Sequence, residues 1–554
     1  MDNTSSVGLQ GISGSNKSID LFGEYNFAEK HICWILYGNY PEACLNDLIS
    51  KVDETSKIIV ANFKKNNISS CDSNDFDKSI DLDRLEVIVD DDLNNLADSV
   101  AASIDRNKFD RWRPLLEKSY IKRDGVLLKK LYSLVGEAVN NFNVFDNTTD
   151  KHLNTHYKNA LKNLPIIKYT HRIEDINNNY DGRPALIVSA GPSLLKQLPI
   201  LEKYQRLFTI IAATATYPNL KKFGIEPDYL IALDPENKVV WGDDTTSKLI
   251  LDIGCDPETV WSIPEKTILC THHPLIKDLL KKLGFDIDLL PTGGSVATSA
   301  FSLAKMIGSN PIIMIGQDLA YKNGDKRVEG YAFSSTENSL STPLKSTFKV
   351  AAFGGHGEVE TDSALLMFKN WFEKEFINSP HLNIINCTEG GAEIKGATSL
   401  TFGTVCNELE KYSLPKMNWE SDISQDKQHA LSLAIDNLSI LLSEVQEYQR
   451  AAIDGIELAE PMLAQKLSID LTILDAINAR LKNTHDHVKN FCDSYSTKVM
   501  RNFKKNVVRE SNANDFKVVG FYLDIYLITK DAAAEAEIFL NKLIYSFKSK
   551  LIEK

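Results

Sequence analysis

The sequence has no uninterrupted apolar run approaching the ~20 residues that a membrane span requires. No stable membrane insertion is therefore expected. It also lacks a basic excess. Lys and Arg number 62 against 75 Asp and Glu, leaving a net charge of −13. No compact Lys/Arg block dominates any predicted domain, which argues against nucleic acid as the main partner. No two of the eight cysteines (Cys33, Cys44, Cys71, Cys255, Cys270, Cys387, Cys406, Cys492) stand at Cys-x-x-Cys spacing. That excludes a zinc ribbon, and the scatter fits reduced thiols rather than a disulfide frame. The first residues, Met1 to Lys17, are polar and lack the basic and apolar regions of a signal peptide. A cytoplasmic protein is the expectation.

A chain of 554 residues is too long for one core, and two to four domains are expected. Residues 1–106 read as a small N-terminal α/β domain with a disordered leader over 1–20. Its strands are placed at His31 to Gly38, Lys57 to Ala61 and Leu85 to Val89. Residues 107–165 read as a helical connector, from Trp112 through Leu131 to Val139, broken by Asn-rich punctuation at 140–149. A second helix follows from Asp150 to Asn163. Residues 166–410 alternate strand and helix strongly, the period of a doubly wound Rossmann-like sheet. Residues 411–554 read as a C-terminal helical domain. Its leucine and isoleucine stripes begin with Leu431, Ile435, Leu438, Leu442 and Val445 and end with Ile538, Leu540, Ile544, Phe547 and Leu551. The basic stretch Lys498 to Arg509 reads as a solvated helix face.

The chain is organised around Arg183 to Leu195. Four apolar residues, Ala185 to Val188, run into Ser189-Ala190-Gly191-Pro192-Ser193 and open a helix. A helix N-terminus presents free amides and a positive dipole end, a seat for an anion. An ordinary strand-to-helix turn has the same pattern. A second loop, Thr292-Gly293-Gly294-Ser295, also opens a helix and offers backbone and hydroxyl donors. Ser189, Ser193, Thr214, Asp234, Gln317 and Asp318 stand at the ends of expected strands, where ligands of such sheets bind.

Five motifs occur together and in order: Ala190-Gly191-Pro192-Ser193-Leu194, Pro227-Asp228 with Leu233-Asp234-Pro235, Gly294-Ser295-Val296-Ala297-Thr298, Gly316-Gln317-Asp318-Leu319-Ala320-Tyr321, and Thr388-Glu389-Gly390-Gly391-Ala392. In these the chain resembles the motility-associated factor family of bacterial flagellin glycosyltransferases. Its central part is similar to bacterial sialyltransferases sharing the Gly-Pro-Ser-Leu loop, in which Asn usually stands before that first Gly-Pro-Ser; here the nearby polar residue is Ser189. The resemblance implies transfer of a nonulosonic acid, of pseudaminic or legionaminic type, from its CMP-activated donor to Ser or Thr of flagellin. It implies a role in flagellum assembly and motility, with flagellin and its export chaperone as partners of the C-terminal region. The donor nucleotide would be held by Ser189, Gly191, Pro192, Ser193, Thr214, Asp234, Gly293, Gly294, Ser295 and Gln317. Phe353-Gly354-Gly355-His356-Gly357 followed by Thr361-Asp362 resembles the sialyltransferase segment that carries the base, which nominates His356. Asp318 and Glu389 are further catalytic candidates. His272 and His273 end a strand, where they could touch the ligand; a satisfied turn is the preferred reading.

No cofactor is implied. Asp234-Pro235-Glu236 is only a loose substitute for the Asp-x-Asp that holds Mg²⁺ or Mn²⁺ in many nucleotide-sugar enzymes, so metal-independent transfer is expected. Two other functions remain open. The Gly-Ser-Val loop is shared with archaeal hydroxymethylpterin pyrophosphokinases, and a helical C-terminal region could serve a non-catalytic flagellin adaptor.

Overall fold

The structure is a computed structural model. It describes residues 25–63, 84–104, 109, 111–176, 182–236, 245–321, 348–412, 427–465, 471–496, 499 and 515–552. The expected leader, Cys71 and, apart from Val499, the basic stretch from Lys498 lie outside the described residues. The chain divides into two compact units, Met1–Asn143 with Lys498–Phe521, and Val144–Thr497 with Tyr522–Lys554.

The first unit holds a parallel sheet of four strands, β1 (Ile32–Tyr37), β2 (Lys57–Phe63), β3 (Leu85–Asp90) and β4 (Arg111–Leu115), in the order β3-β2-β1-β4. Every residue of β1 is buried, and successive side chains enter opposite cores. Cys33, Ile35 and Tyr37 pack with Leu96, Val100, Leu131 and Val135, while Ile32, Trp34 and Leu36 pack with Leu45 and Leu48.

Two expectations fail here. Trp112 lies on β4 rather than on a helix; Pro114 is tolerated because β4 is an edge strand. The Asn-rich stretch breaks nothing, since the helical segment Lys118–Asn163 kinks at Asp124, before that stretch, and runs on through it. Asn costs a helix only about 0.7 kcal/mol per residue against Ala, too little to stop a long helix held by packing.

The second unit is built on a nine-stranded sheet. Its strands are β5 (His171–Arg172), β6 (Ala185–Val188), β7 (Thr209–Ala213), β8 (Tyr229–Ala232), β9 (Lys248–Asp252), β10 (Thr267–Cys270), β11 (Ile312–Ile315), β14 (Ile384–Asn386) and β15 (Thr398–Ser399). Their order is β15-β14-β11-β6-β7-β8-β9-β10-β5, and every pairing is parallel. From β6 the chain winds outward through β10, then returns to lay β11 on the other side of β6. The fold is thus α/β and doubly wound, with its topological switch point between β6 and β11. The four residues of β6, of β8 and of β11 are all buried, which is why they read as unbroken apolar runs. A separate antiparallel hairpin, β12 (Phe348–Ala351) with β13 (Glu358–Thr361), follows β11.

Helices Lys427–Gln465, Leu471–Asn483, Asp486–Asp493 and Asp515–Ile552 make the C-terminal part. The last is one helix where the sequence pattern suggests two, because Ala532-Ala533-Ala534 between the stripes favours helix. Among the described residues no helix is long and apolar enough to cross a membrane. The seven described cysteines are free thiols.

Candidate functional site

Three loops leave the carboxyl ends of β6, β11 and β14 and close on one another at the switch point. The amide of Gly191 donates to the Gly316 carbonyl at 2.8 Å, and that of Ala392 to the Asp318 carbonyl at 2.7 Å. Ser189 donates through Oγ to Gln317 Oε1 at 2.5 Å. The Gln317 amide in turn donates to Thr388 Oγ1 at 3.2 Å. Glycine is required where the loops touch: a Cβ on Gly191 would lie 2.0 Å from Asp318 Oδ2, and one on Gly316 would lie 2.2 Å from the Ser189 carbonyl oxygen. Leu319 and Glu389 hold left-handed backbone (φ 50° and 53°), a conformation that non-glycine residues adopt at a cost.

At the centre sits Asp318, 4% exposed, against Ser193, 1% exposed. Asp318 Oδ2 accepts from the Ser193 amide at 3.1 Å and from its hydroxyl at 2.7 Å. Ser193 precedes the helix Leu194–Tyr204. The seat that the sequence leaves for a phosphate at that N-terminus is therefore taken by the protein's own carboxylate. Pro192 beside it is half-buried.

The second helix N-terminus is differently arranged. Helix Val296–Met306 is capped by Ser295, whose hydroxyl accepts from Thr298 in a reciprocal capping box. Gly293 and Ser295 donate their amides to Thr298 Oγ1, and Gly294 donates to Thr292 Oγ1. The first helical amides, Val296 and Ala297, have no intrahelical acceptor. Gly294 is exposed, Ser295 is half-buried, and the rings of Trp371 and Phe368 flank Gly293 and Gly294. This helix packs on β6, β7, β8 and β11, so its first turn and the switch-point loops share the carboxyl edge of the sheet.

The remaining predicted residues are dispersed. Thr214 is buried in the short turn after β7. Asp234 is exposed and accepts from the amide of Glu236 at 2.8 Å, closing the local turn Asp234-Pro235-Glu236. Glu389 Oε1 accepts from the amide of Phe402 at 2.9 Å at the start of the Phe402–Leu409 helix. His356 is exposed in the turn of the β12–β13 hairpin. That hairpin is fastened to the switch-point loops through Thr361 Oγ1 to the Leu319 carbonyl (2.8 Å), the Tyr321 amide to the Glu360 carbonyl (2.8 Å) and the Phe353 amide to the Gly391 carbonyl (2.9 Å).

One member of the cluster escapes the sequence reading. Gln197, fully buried, donates to the Thr388 carbonyl at 2.9 Å and ties the first helix to the β14 loop. Its signal was available: a lone polar residue on the apolar stripe of Leu194, Leu198 and Leu201.

Residues 158–324 match the family model described as 6-hydroxymethylpterin diphosphokinase MptE-like. Two uncharacterized proteins of Treponema pallidum (strain Nichols) are similar. One is 32% identical over 80 residues, covering 14% of this chain and 37% of the relative. The other is 28% identical over 153 residues, covering 22% and 39%. The matches thus span less than two fifths of the length of these relatives. The solved structure of the MAf glycosyltransferase from Magnetospirillum magneticum AMB-1 is similar over 94% of this chain and 80% of that one, with TM-score 0.50 and 13% identity. At that identity the likeness is one of fold.

Proposed function

We propose that this chain is a glycosyltransferase that moves a nonulosonic acid from a CMP-activated donor to a Ser or Thr hydroxyl of flagellin. The observation that carries the reading is the closure of three sequence-distant motifs on one another at the switch point of a doubly wound sheet, where such folds bind nucleotides. The fold likeness to a MAf glycosyltransferase supports it.

The leaving phosphate gains charge as the bond from the anomeric carbon to the CMP oxygen breaks. Because Asp318 fills the first helix N-terminus, the donor phosphate is assigned to the second, with the amides of Val296 and Ala297 and the Ser295 hydroxyl as donors. The half-buried rings of Phe368 and Trp371 offer an apolar wall beside it. His356, on the exposed hairpin, takes the proton from the incoming hydroxyl, whose oxygen attacks the anomeric carbon while CMP departs with the bonding electron pair.

The MptE-like match favours a second reading, pyrophosphate transfer from ATP. Calorimetric titration of the full chain with CMP, ATP and UDP, with and without Mg²⁺, separates the two. CMP binding that is lost in Ser295→Trp supports the glycosyltransferase; preference for ATP replaces it with the pyrophosphokinase.

A further inference from the structure

Three histidines meet on the other flank of the nine-stranded sheet, several strands from the switch point. His272 and His273 follow β10, and His156 comes from helix Lys118–Asn163. Their ring centroids are 4.0 Å (His272–His273), 4.4 Å (His156–His273) and 5.1 Å (His156–His272) apart. One nitrogen from each ring lies within 4.8 Å of the others.

Behind them stands Asp252 at the end of β9, with no exposed surface. Its Oδ2 accepts from the His272 amide at 2.8 Å and pairs with His272 Nδ1 at 2.7 Å, while Oδ1 accepts from the Gly254 amide at 2.6 Å. A carboxylate on Nδ1 fixes the ring's orientation and leaves Nε2 to face its neighbours, as in the carboxylate–histidine–metal arrangement.

Two further ring nitrogens have nothing to bind. His156 is 5% exposed, and its Nδ1, 3.8 Å from Asp252 Oδ1, is buried without a hydrogen-bond partner; His273 Nε2 is likewise buried and unpartnered. Orphaned buried polar atoms are rare and costly, and call for an explanation. The site also shows a fit around the ring: a Cβ on Gly254 would lie 2.5 Å from His156 Nδ1, so only glycine leaves His156 its place.

We propose that His156, His272 and His273 bind one zinc-class divalent ion, with Asp252 orienting His272 from behind. Three imidazoles suit zinc and its neighbours rather than magnesium, and water would complete the tetrahedron. Bond lengths of about 2.0–2.1 Å require the three nitrogens to draw together by ring rotation. The site ties the helix to the ends of β9 and β10, and it stands independently of the donor-site reading.

The test uses the full chain, free of any polyhistidine tag, stripped with a chelator and refilled with Zn²⁺ or Co²⁺ alone. The expected result is one Zn²⁺ per chain by elemental analysis, a rise in melting temperature of roughly 5 °C, and intense tetrahedral Co²⁺ absorption. His273→Gln and His156→Gln should bring the stoichiometry near zero, while His381→Gln, at an exposed position, should leave it at one. If the two site variants fail to fold, the wild-type Co²⁺ spectrum and melting shift decide. A stoichiometry that His273→Gln does not lower, an octahedral Co²⁺ spectrum, or an unmoved melting temperature overturns the site.

Discussion

The carboxylate of Asp318 accepts from both the amide and the hydroxyl of Ser193, a residue 125 positions earlier in the chain. This one contact joins the loop after β11 to the helix after β6 across the switch point, and puts a fixed negative charge at that helix's positive end.

Asp318→Ala should destabilise the protein by about 1–3 kcal/mol, because it strands two buried donors of Ser193. Ser193→Ala removes one donor and should cost less, about 1 kcal/mol. Urea unfolding of the two variants checks the order. Equal stability to wild type in Asp318→Ala would mean that the contact carries nothing.

Gly191→Ala places a methyl group 2.0 Å from Asp318 Oδ2 and 2.4 Å from the Gly316 carbonyl oxygen. The loops must separate, at a cost of about 1–3 kcal/mol. Transfer from the CMP donor should fall with it. The paired measurement is a melting curve and a single-turnover assay on the same preparation, and a fully active, fully stable variant contradicts the close approach.

His356→Ala should behave in the opposite way. The residue is exposed, so stability should stay within about 0.5 kcal/mol of wild type. Transfer should slow by about 100-fold or more if the imidazole is the base. An unaltered rate removes His356 from the chemistry and leaves its hairpin as scaffold.

Glu226 supplies a pH-dependent contribution. Burial raises its carboxyl, but hydrogen bonds from Thr245, Thr246, Ser247 and Tyr217 outweigh this and hold it below its ordinary 4.5. The stability it confers is present above pH 4.5 and is lost as pH falls through the lowered value. Glu226→Gln should be less stable than wild type at pH ~7, and the difference should shrink toward zero as urea melts are taken below pH ~4. A constant difference across that range would show that the carboxylate's charge is irrelevant.

The buried strands were legible because Ala185-Leu186-Ile187-Val188 and Ile312-Ile313-Met314-Ile315 are apolar on both faces and end in turn residues. Arg111-Trp112-Arg113-Pro114-Leu115 was not, since an edge strand carrying arginines and a proline has no such run. Lys248–Asp252, Ile384–Asn386 and the two-residue strands also went unread. At the site, the motifs named the residues but not their partners. Nothing near Ser193 announces that Asp318 will occupy the position left for a ligand, because that pairing is made by the winding of the sheet. His272 and His273 read as a turn for the same reason: His156 and Asp252 are remote in sequence and meet them only once β9, β10 and the long helix are assembled.

The hairpin of β12 and β13 belongs to neither large sheet; besides the contacts described above, the Gly354 amide donates to Glu393 Oε2 at 2.6 Å, while Gly355, His356 and Gly357 of its turn are exposed. A substitution at His356 therefore alters the exposed chemistry of the hairpin turn without the interlocked loops having to be rebuilt.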